Sequence, residues 1–470
     1  MAFPLDVGAL AHAFGERYEL PLPLWLFVTG GALVVLLSFF LVLRGSRSLA
    51  SAAPGSAPDA APDTVPPFSY RPVASTLGLL VTVGIAVAGI TGTQATAENL
   101  APLFFWVILW IVVPLSCGLL GDWTRPINPF GAASRLGDNP RLRKALLARS
   151  EPLAWPVGLG WWPALVLFVL LVLGELVFQL HATTPSFVGT MLVLYLLACL
   201  VLGLLLGPAW TARGEVFGAL FNAWGRLGFL RFGAPGRRGF AGGLDVPFER
   251  SLSRLLFVLL MLVSINFDGL LSTPQWIDYE RRTIGAGGHD IDLLRMGSLV
   301  VLVLLILAVF AGFATASARA GRHTDGPVTA LAGLLPSLVP IAYGYLIAHY
   351  LQYLVLNLQF LPPLLRRPGG PVPDSFHLER EPLPNSFYWY LSVVVIVAVH
   401  VVAVVIAHRY LRMRGSDQKA AVRSELPWLV AMVGYTAFSL FLIAQPLTEA
   451  GTEEHEEHEG LHRIPLSQTR

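Results

Sequence analysis

The sequence predicts an all-α membrane protein, a polytopic bundle of about ten transmembrane helices with both termini on the outer side. Apolar runs recur from Leu24 to Pro446, and Leu24–Leu43, Leu165–Leu180 and Ser298–Phe313 are nearly free of charge. Hydrophobic residues make up 54% of the chain and charged residues only 13%, whereas a soluble domain has about 25% charged residues. Backbone polar groups cannot stay unpaired in lipid, so such runs fold as helices.

The predicted spans follow from the positions of the apolar runs, because a bilayer core about 30 Å thick needs about 20 helical residues. They are 23–43, 74–94, 101–121, 158–180, 187–207, 253–272, 294–315, 329–354, 387–409 and 427–446. The first lacks the features of a signal peptide and is expected to be retained. Around the eighth, apolar sequence covers 328–365, which fits one kinked span or a re-entrant segment, and Pro336 and Pro340 predict a kink or break.

Basic residues orient the predicted bundle, because short cytoplasmic loops are enriched in lysine and arginine. The segments 122–157, 208–252, 316–328 and 409–426 are basic, and with ten spans all four lie on one side. This side is predicted to be cytoplasmic. We therefore expect a multi-pass protein of the plasma (inner) membrane, surrounded by the lipid bilayer.

The chain divides by composition into an outer N-terminal segment with the first helix (1–43), a linker (44–72), the bundle (73–447) and a tail (448–470). The linker is rich in Ser, Ala, Pro and Gly, which predicts a flexible cytoplasmic segment. The tail is acidic and contains histidines, which predicts a solvated outer segment. Within the bundle, 214–229 fits either an amphipathic helix on the inner membrane surface or a helix packed on neighbouring spans.

Composition and motifs exclude several classes of function. The net charge is only +2, which gives no reason to expect a nucleic-acid partner. Cys117 and Cys199 lie inside apolar runs and fit small core residues better than a disulfide or a CxxC site. The sequence has no Walker A, HExxH, GxSxG or CxxCH motif, so it carries no signature of these nucleotide, zinc, hydrolase or c-type haem sites.

Ionisable residues inside the predicted spans are the candidates for a functional site, because charge within a membrane is costly. They are Glu175, Asp268, His349, His400 and His408. The predicted topology places the first three in the outer half of the membrane and His400 near mid-depth, so these four could line one cavity. His408 precedes Arg409 and fits an interfacial residue.

Two carboxylates and two imidazoles, from Glu175, Asp268, His349 and His400, predict a metal site suited to zinc, iron, manganese or copper. Such a metal would activate water. Other interpretations stay open at this stage. Both histidines equally fit hydrogen-bonded helix packing, Asp268 fits a helix cap, and Glu175 fits a protonated or paired side chain. A b-type haem between the two histidines is a further alternative.

Several stretches of the chain resemble a family of bacterial and archaeal multi-pass membrane proteins often labelled fenitrothion hydrolase. They are His12–Phe27, Thr91–Pro102, Pro114–Phe130, Glu175–Val177, Phe267–Pro274, Ile341–Tyr350 and His400–Met432. This resemblance implies cleavage of an aryl phosphotriester by water, for which a metal-bound hydroxide is the natural nucleophile. The four predicted metal ligands all lie in these stretches.

Three functions remain as hypotheses from the sequence. The first is a metal-dependent membrane hydrolase, as the resemblance implies. The second is a transporter or channel, which the broken eighth helix and the ionisable groups favour, although no internal repeat is visible. The third is a haem- or copper-binding subunit of a respiratory or metal-handling membrane complex, with that complex as its partner. No motif identifies a substrate.

Overall fold

The computed structural model describes residues 63–65, 72–284, 289–373, 375–414 and 418–461, and a few helical positions between 29 and 37. These residues form helices joined by turns and loops, and they contain no strand. The predicted all-α fold is therefore confirmed.

The helices are labelled here in chain order. They are α1 Pro72–Thr91, α2 Leu100–Leu120, α3 Pro129–Gly137, α4 Pro140–Leu147, α5 Trp162–Leu176, α6 Gln179–Ala182, α7 Pro185–Leu206, α8 Pro208–Arg213, α9 Val216–Gly225, α10 Leu252–Leu271, α11 Pro274–Ile284, α12 His289–Ala320, α13 Pro327–Leu334, α14 Leu338–Asn357, α15 Leu361–Arg366, α16 Asn385–Arg414 and α17 Gln418–Leu461. Single 3₁₀ turns lie at Thr96–Glu98, Gly242–Asp245, Leu335–Ser337 and Leu358–Phe360.

Eight helical segments among the described residues are long and apolar enough to cross a membrane. They are α1, α2, α7, α10, α12, the run from α13 to α15, α16 and the part of α17 from Lys419 to Leu442. The protein is therefore a multi-pass integral membrane protein. The predicted first span, 23–43, lies mostly outside the described residues. The predicted fourth span, 158–180, is shorter than expected, because α5 has only 15 residues.

The eighth predicted span is a single interrupted helical run at the centre of the bundle. It extends from Pro327 to Arg366 over 40 residues, and its residues from Ala330 to Leu346 are all buried. At 1.5 Å per residue this is about 60 Å, so both ends project beyond a bilayer core of about 30 Å. The predicted break is present as the 3₁₀ turn Leu335–Ser337, which contains Pro336. The run is thus a kinked span and not a re-entrant segment.

Hydrogen bonds between loops show which helix ends share a side of the bundle. The Thr93 and Leu100 amides donate to the carbonyls of Gly369 and Pro368, each at 2.9 Å, which joins the loop after α1 to the loop before α16. On the opposite side, Arg143 Nε donates to the Leu204 carbonyl at 2.7 Å. These contacts place the ends of α1 and α15 on one side of the bundle and the end of α7 on the other, as the predicted topology does. We call the side with the basic loops the inner side, as predicted from the arginines.

Glycines bring α3 and α7 into backbone contact. A Cβ atom at Gly203 would lie 2.0 Å from the Ser134 carbonyl oxygen, and one at Gly137 would lie 1.9 Å from the Leu200 carbonyl oxygen. Only residues without a Cβ allow backbones to approach this closely, which is a common means of packing membrane helices.

The short helix α9 is the one expected near 214–229. All of its residues are buried, and it packs against α2, α5 and α14. The Glu215 carboxylate caps it by accepting hydrogen bonds from the amides of Phe217 and Gly218, at 2.9 and 2.6 Å. Of the two alternatives, the structure shows the packed helix and not the surface helix. An apolar surface on all sides suits a core position better than an interface.

Part of the predicted flexible linker is packed against the inner side. Asp63 is buried, pairs with Arg226 and accepts hydrogen bonds from Arg254 Nε at 2.9 Å and from the Glu249 amide at 2.8 Å. Burial raises the pKa of Asp63, but attraction to the two arginines outweighs it and lowers the pKa to about 2. Composition could not indicate this packing, because the arginines follow Asp63 by 163 and 191 residues.

Candidate functional site

Three parallel helices bring ionisable side chains together in the outer half of the bundle. Glu175 lies at the end of α5, Asp268 in the last turn of α10 and His349 in the middle of α14. Contacts among these side chains require the outer parts of the three helices to lie side by side. Sequence analysis placed all three at this depth.

Hydrogen bonds link these residues through Tyr350, the neighbour of His349. His349 Nε2 lies 2.7 Å from Asp268 Oδ2. The Tyr350 hydroxyl donates to Glu175 Oε1 at 2.7 Å and lies 3.4 Å from Asp268 Oδ2. We call Glu175, Asp268, His349 and Tyr350 the outer cluster. Its internal hydrogen bonds lower the cost of placing two carboxyl groups within the bundle.

The outer cluster lines a cavity of about 120 Å³. The other lining residues are Trp106, Ile111, Leu176, Gln179, Thr183, Leu271, Ser272, Arg295 and Tyr353. A second cavity of about 70 Å³ shares Trp106, Gln179, Thr183 and Tyr353 with it. Both are small beside the pockets of about 300–1,000 Å³ that hold drug-sized ligands.

Two departures from regular helical structure surround this cavity. At 15 residues, or about 22 Å, α5 is too short to cross the bilayer core, and the chain forms only the short helix Gln179–Ala182 before α7 begins. On another wall, α2 is π-helical over Leu103–Val112; π-helical turns are rare and frequent at functional sites. Trp106 Nε1 donates to the Ala182 carbonyl at 2.9 Å and fixes the two walls to each other.

A cation lies at the edge of the cavity. Arg295, near the start of α12, forms two hydrogen bonds with Glu280 of α11, at 2.6 and 2.9 Å. Trp276 Nε1 donates to the same carboxylate at 2.7 Å. Sequence analysis missed Arg295 because charges at the ends of spans resemble ordinary loop residues. The sequence signal is an arginine at the start of an apolar run, shortly after a helix that carries Asp278 and Glu280.

The structure places His400 away from the outer cluster, and this residue does not line the cavity. Its ring is fully buried on α16, with Nδ1 2.7 Å from the Ile396 carbonyl oxygen. A carbonyl only accepts, so Nδ1 carries the hydrogen. Nε2 has no hydrogen-bond partner among the described residues. Three of the four predicted ligands are therefore neighbours, and the fourth is not among them.

The metal site predicted at the outer cluster stays a prediction. A metal needs several ligand atoms converging on one point at about 2.0–2.2 Å. Within the described ranges, no group of three or more His, Cys, Asp and Glu side chains could hold an ion. His349 and Asp268 are instead directed at each other, and Tyr350 is directed at Glu175. Neighbouring groups in hydrogen-bond contact are suited to proton transfer.

His408 lies at the inner end of the bundle, and its interfacial position in the membrane stays a prediction. It is buried, and its Nδ1 lies 2.8 Å from Glu425 Oε2 on α17. Arg412 Nε lies 3.5 Å from the other oxygen of Glu425. The residue thus belongs to a buried charged group.

Comparison of the chain with models of protein families, with curated proteins and with solved structures finds no match. The function has to be inferred from the outer cluster and its cavity.

Proposed function

We propose that this protein is a membrane transporter that conducts protons even without a second solute, and that the outer cluster is the site where protons and any small solute bind. The observation that carries the proposal is the continuous hydrogen-bonded chain Glu175–Tyr350–Asp268–His349 on the wall of a cavity within the bundle. Ionisable groups inside membrane helices mark ion pathways and proton relays.

The order of these hydrogen bonds allows a proton to move along the outer cluster. Tyr350 donates to Glu175 and lies near Asp268, so its hydroxyl stands between the two carboxyl groups. A proton leaving Asp268 for the Tyr350 oxygen releases the tyrosine proton to Glu175. One proton is thereby transferred, and the tyrosine ends unchanged. His349, in contact with Asp268, is positioned to supply or receive the next proton.

The surroundings of the cavity favour transport over other functions of a buried acid–base cluster. The short helix α5 and the interrupted central run from Pro327 to Arg366 are helix irregularities of the kind that form transporter binding sites. Irregular backbone at membrane depth is tolerated where it lines a cavity. The volume of about 120 Å³ restricts the bound solute to an ion or a molecule of a few atoms.

A second candidate function is hydrolysis of a phosphotriester, as the family resemblance implies. The contact between Asp268 and His349 favours it, because a carboxylate that orients a histidine is a common general base for water. Opening of the cavity would be needed to admit an aryl phosphotriester. A divalent metal at the cluster would have to break the Asp268–His349 contact.

Proton flux into proteoliposomes tests the proposal directly. Purified protein is reconstituted with a pH-sensitive dye inside the vesicles, and flux is driven by a potassium diffusion potential. We expect flux in the wild type and a decrease of about tenfold or more in Asp268→Asn and Tyr350→Phe. Asp278→Asn is the matched control, since Asp278 is a half-exposed residue of α11 that pairs only with the adjacent turn in the structure.

The same preparations separate the alternatives. Release of a nitrophenol from an aryl phosphotriester, lost in Asp268→Asn and accompanied by no proton flux, would contradict transport and support hydrolysis. Metal analysis and an absorption spectrum of the wild type test the predicted divalent metal and the b-type haem. If the wild type binds metal stoichiometrically and His349→Ala does not, the outer cluster is a metal site. This result would contradict the proposed proton site.

A further inference from the structure

A second group of polar side chains lies in the core next to the outer cluster. It consists of Asn266, Tyr345, His400, Tyr435 and Ser439, on α10, α14, α16 and α17, and all five are buried. Asn266 precedes Asp268 by two residues on α10, and Tyr345 precedes His349 by one helical turn on α14. The group therefore lies about 3–6 Å further toward the inner side than the outer cluster. We call it the core polar group.

Three polar atoms of this group are incompletely bonded. The Tyr345 hydroxyl, Ser439 Oγ and His400 Nε2 have no hydrogen-bond partner in the part of the chain that the structure describes. Because Nδ1 of His400 donates to Ile396, its Nε2 presents a lone pair to an apolar interior. Unpaired polar atoms in a core are costly, and buried water is the usual partner that completes them.

Contacts connect the residues of this group to one another across the four helices. The Asn266 amide donates to the Tyr435 oxygen. Ser439 lies beside the hydroxyls of Tyr435 and Tyr345. The Tyr345 ring meets the His400 ring edge-on, with 6.5 Å between the ring centroids. Hydroxyl groups both donate and accept, so each can pass a hydrogen bond along such contacts.

A charged group lies further toward the inner side on the same helices. His408 follows His400 by two helical turns on α16, a distance of about 12 Å, and contacts Glu425. At about the depth of His408, Trp428 Nε1 donates to the Ser337 hydroxyl at 3.0 Å. The core polar group therefore lies between the outer cavity and a second polar level near the inner side.

We propose that ordered water binds to Tyr345, Ser439 and His400, and that this water extends the proton path of the outer cluster inward into the core. The inference rests on the proposed function and specifies its route. Each hydroxyl or water in the path accepts a proton on one side and releases another on the opposite side. The path needs no lasting change in the protonation state of any of its members.

Infrared difference spectra recorded in H₂¹⁶O and H₂¹⁸O test the bound water independently of transport. The wild type should show O–H stretching bands of weakly bonded water that shift with the isotope. Tyr345→Phe and Ser439→Ala should lose some of these bands. Tyr343→Phe and Ser424→Ala are the matched controls on the same helices, since both hydroxyls already bond a backbone carbonyl. Spectra without such bands in the wild type would overturn the inference.

Proton flux in the same variants tests the route. We expect Tyr345→Phe and Ser439→Ala to lower flux by about tenfold, and the two controls to retain it. His400→Phe should also block flux, and His400→Gln, which keeps a polar side chain, should restore part of it. If the wild type conducts and Tyr345→Phe and Ser439→Ala retain full flux, the route is wrong while the outer proton site stands. If the wild type does not conduct, both proposals fail.

Discussion

At the scale of single residues, Asp63 shows how buried charges determine the packing of a segment that composition describes as unstructured. Its carboxylate lies between Arg226 and Arg254, and the Arg254 guanidinium stacks on Trp161 with 3.8 Å to the ring centroid. Both arginines are buried, so neither can exchange the carboxylate for bulk water. Removal of the negative charge would leave two buried cations without a balancing anion.

Substitution of Asp63 should therefore destabilise the fold strongly. We expect Asp63→Asn to lower the free energy of unfolding by about 3–5 kcal/mol, the range found when one partner of a buried ion pair is lost. The thermal midpoint in detergent micelles measures this. Asp245→Asn is the control, because Asp245 is a partly exposed partner of Arg237 and should contribute within about 1 kcal/mol. Equal midpoints for the two variants would contradict the prediction.

The same residue predicts a dependence of stability on pH. The pKa of Asp63 falls from 3.8 to about 2 on folding, so the folded state binds the proton less readily than the unfolded chain. The ionised carboxylate thus stabilises the fold above pH 3.8, and this stabilisation of about 2–3 kcal/mol is lost as the pH falls toward 2. The difference in midpoint between wild type and Asp63→Asn should shrink over this pH range. A constant difference from pH 6 to pH 2 would show that another group is responsible.

At the scale of helices, the length of apolar runs predicted the spans, whereas the packing partners of the short helices between them could not be predicted. A run of about 20 apolar residues has one stable arrangement in a bilayer, so its identity follows from composition alone. The helices α3 and α9 are held by contacts distant in sequence. Phe130 and Phe217 stack with centroids 4.8 Å apart, and the Asn128 amide lies 3.4 Å from the Glu215 carboxylate. The spacing of apolar residues in either segment does not indicate which distant segment it packs against.

The crossing of α3 and α7 gives a prediction about packing. We expect Gly203→Val to destabilise the protein by at least about 2 kcal/mol, because the added atoms would collide with the Ser134 carbonyl and force the helices apart. Thermal midpoints in micelles measure the effect. Gly84→Val is the matched control, since a Cβ at Gly84 of α1 meets nothing within 4 Å. Similar losses in both variants would point to helix propensity and not to the crossing.

At the scale of the whole molecule, the depth of a residue along its helix was predictable from the sequence. The direction of its side chain around the helix axis was not. A rise of 1.5 Å per residue fixes how far along a helix a residue lies, and this placed Glu175, Asp268 and His349 at a common level. The direction of a side chain around the helix axis depends on packing. His400 was therefore expected in the cavity, although its ring bonds the carbonyl of its own helix. Tyr350, which carries no charge that would mark it in the sequence, links the two carboxyl groups.

The orientation of the bundle in its membrane is a prediction for the entire chain. The basic loops 122–157 and 208–252 lie on one side, where Arg125 Nη1 donates to the Phe232 carbonyl at 2.8 Å. Reporter fusions after Ala53, Leu146, Val246 and Gln418 should read cytoplasmic, because basic loops are retained inside during insertion. A fusion after Pro373 should read external and serves as the control.

If Leu146 and Val246 read external while Pro373 reads cytoplasmic, the bundle is inverted and the outer cluster opens toward the cytoplasm. If Leu146 and Val246 differ from each other, one helix between them does not cross, which would contradict the alternation of the spans.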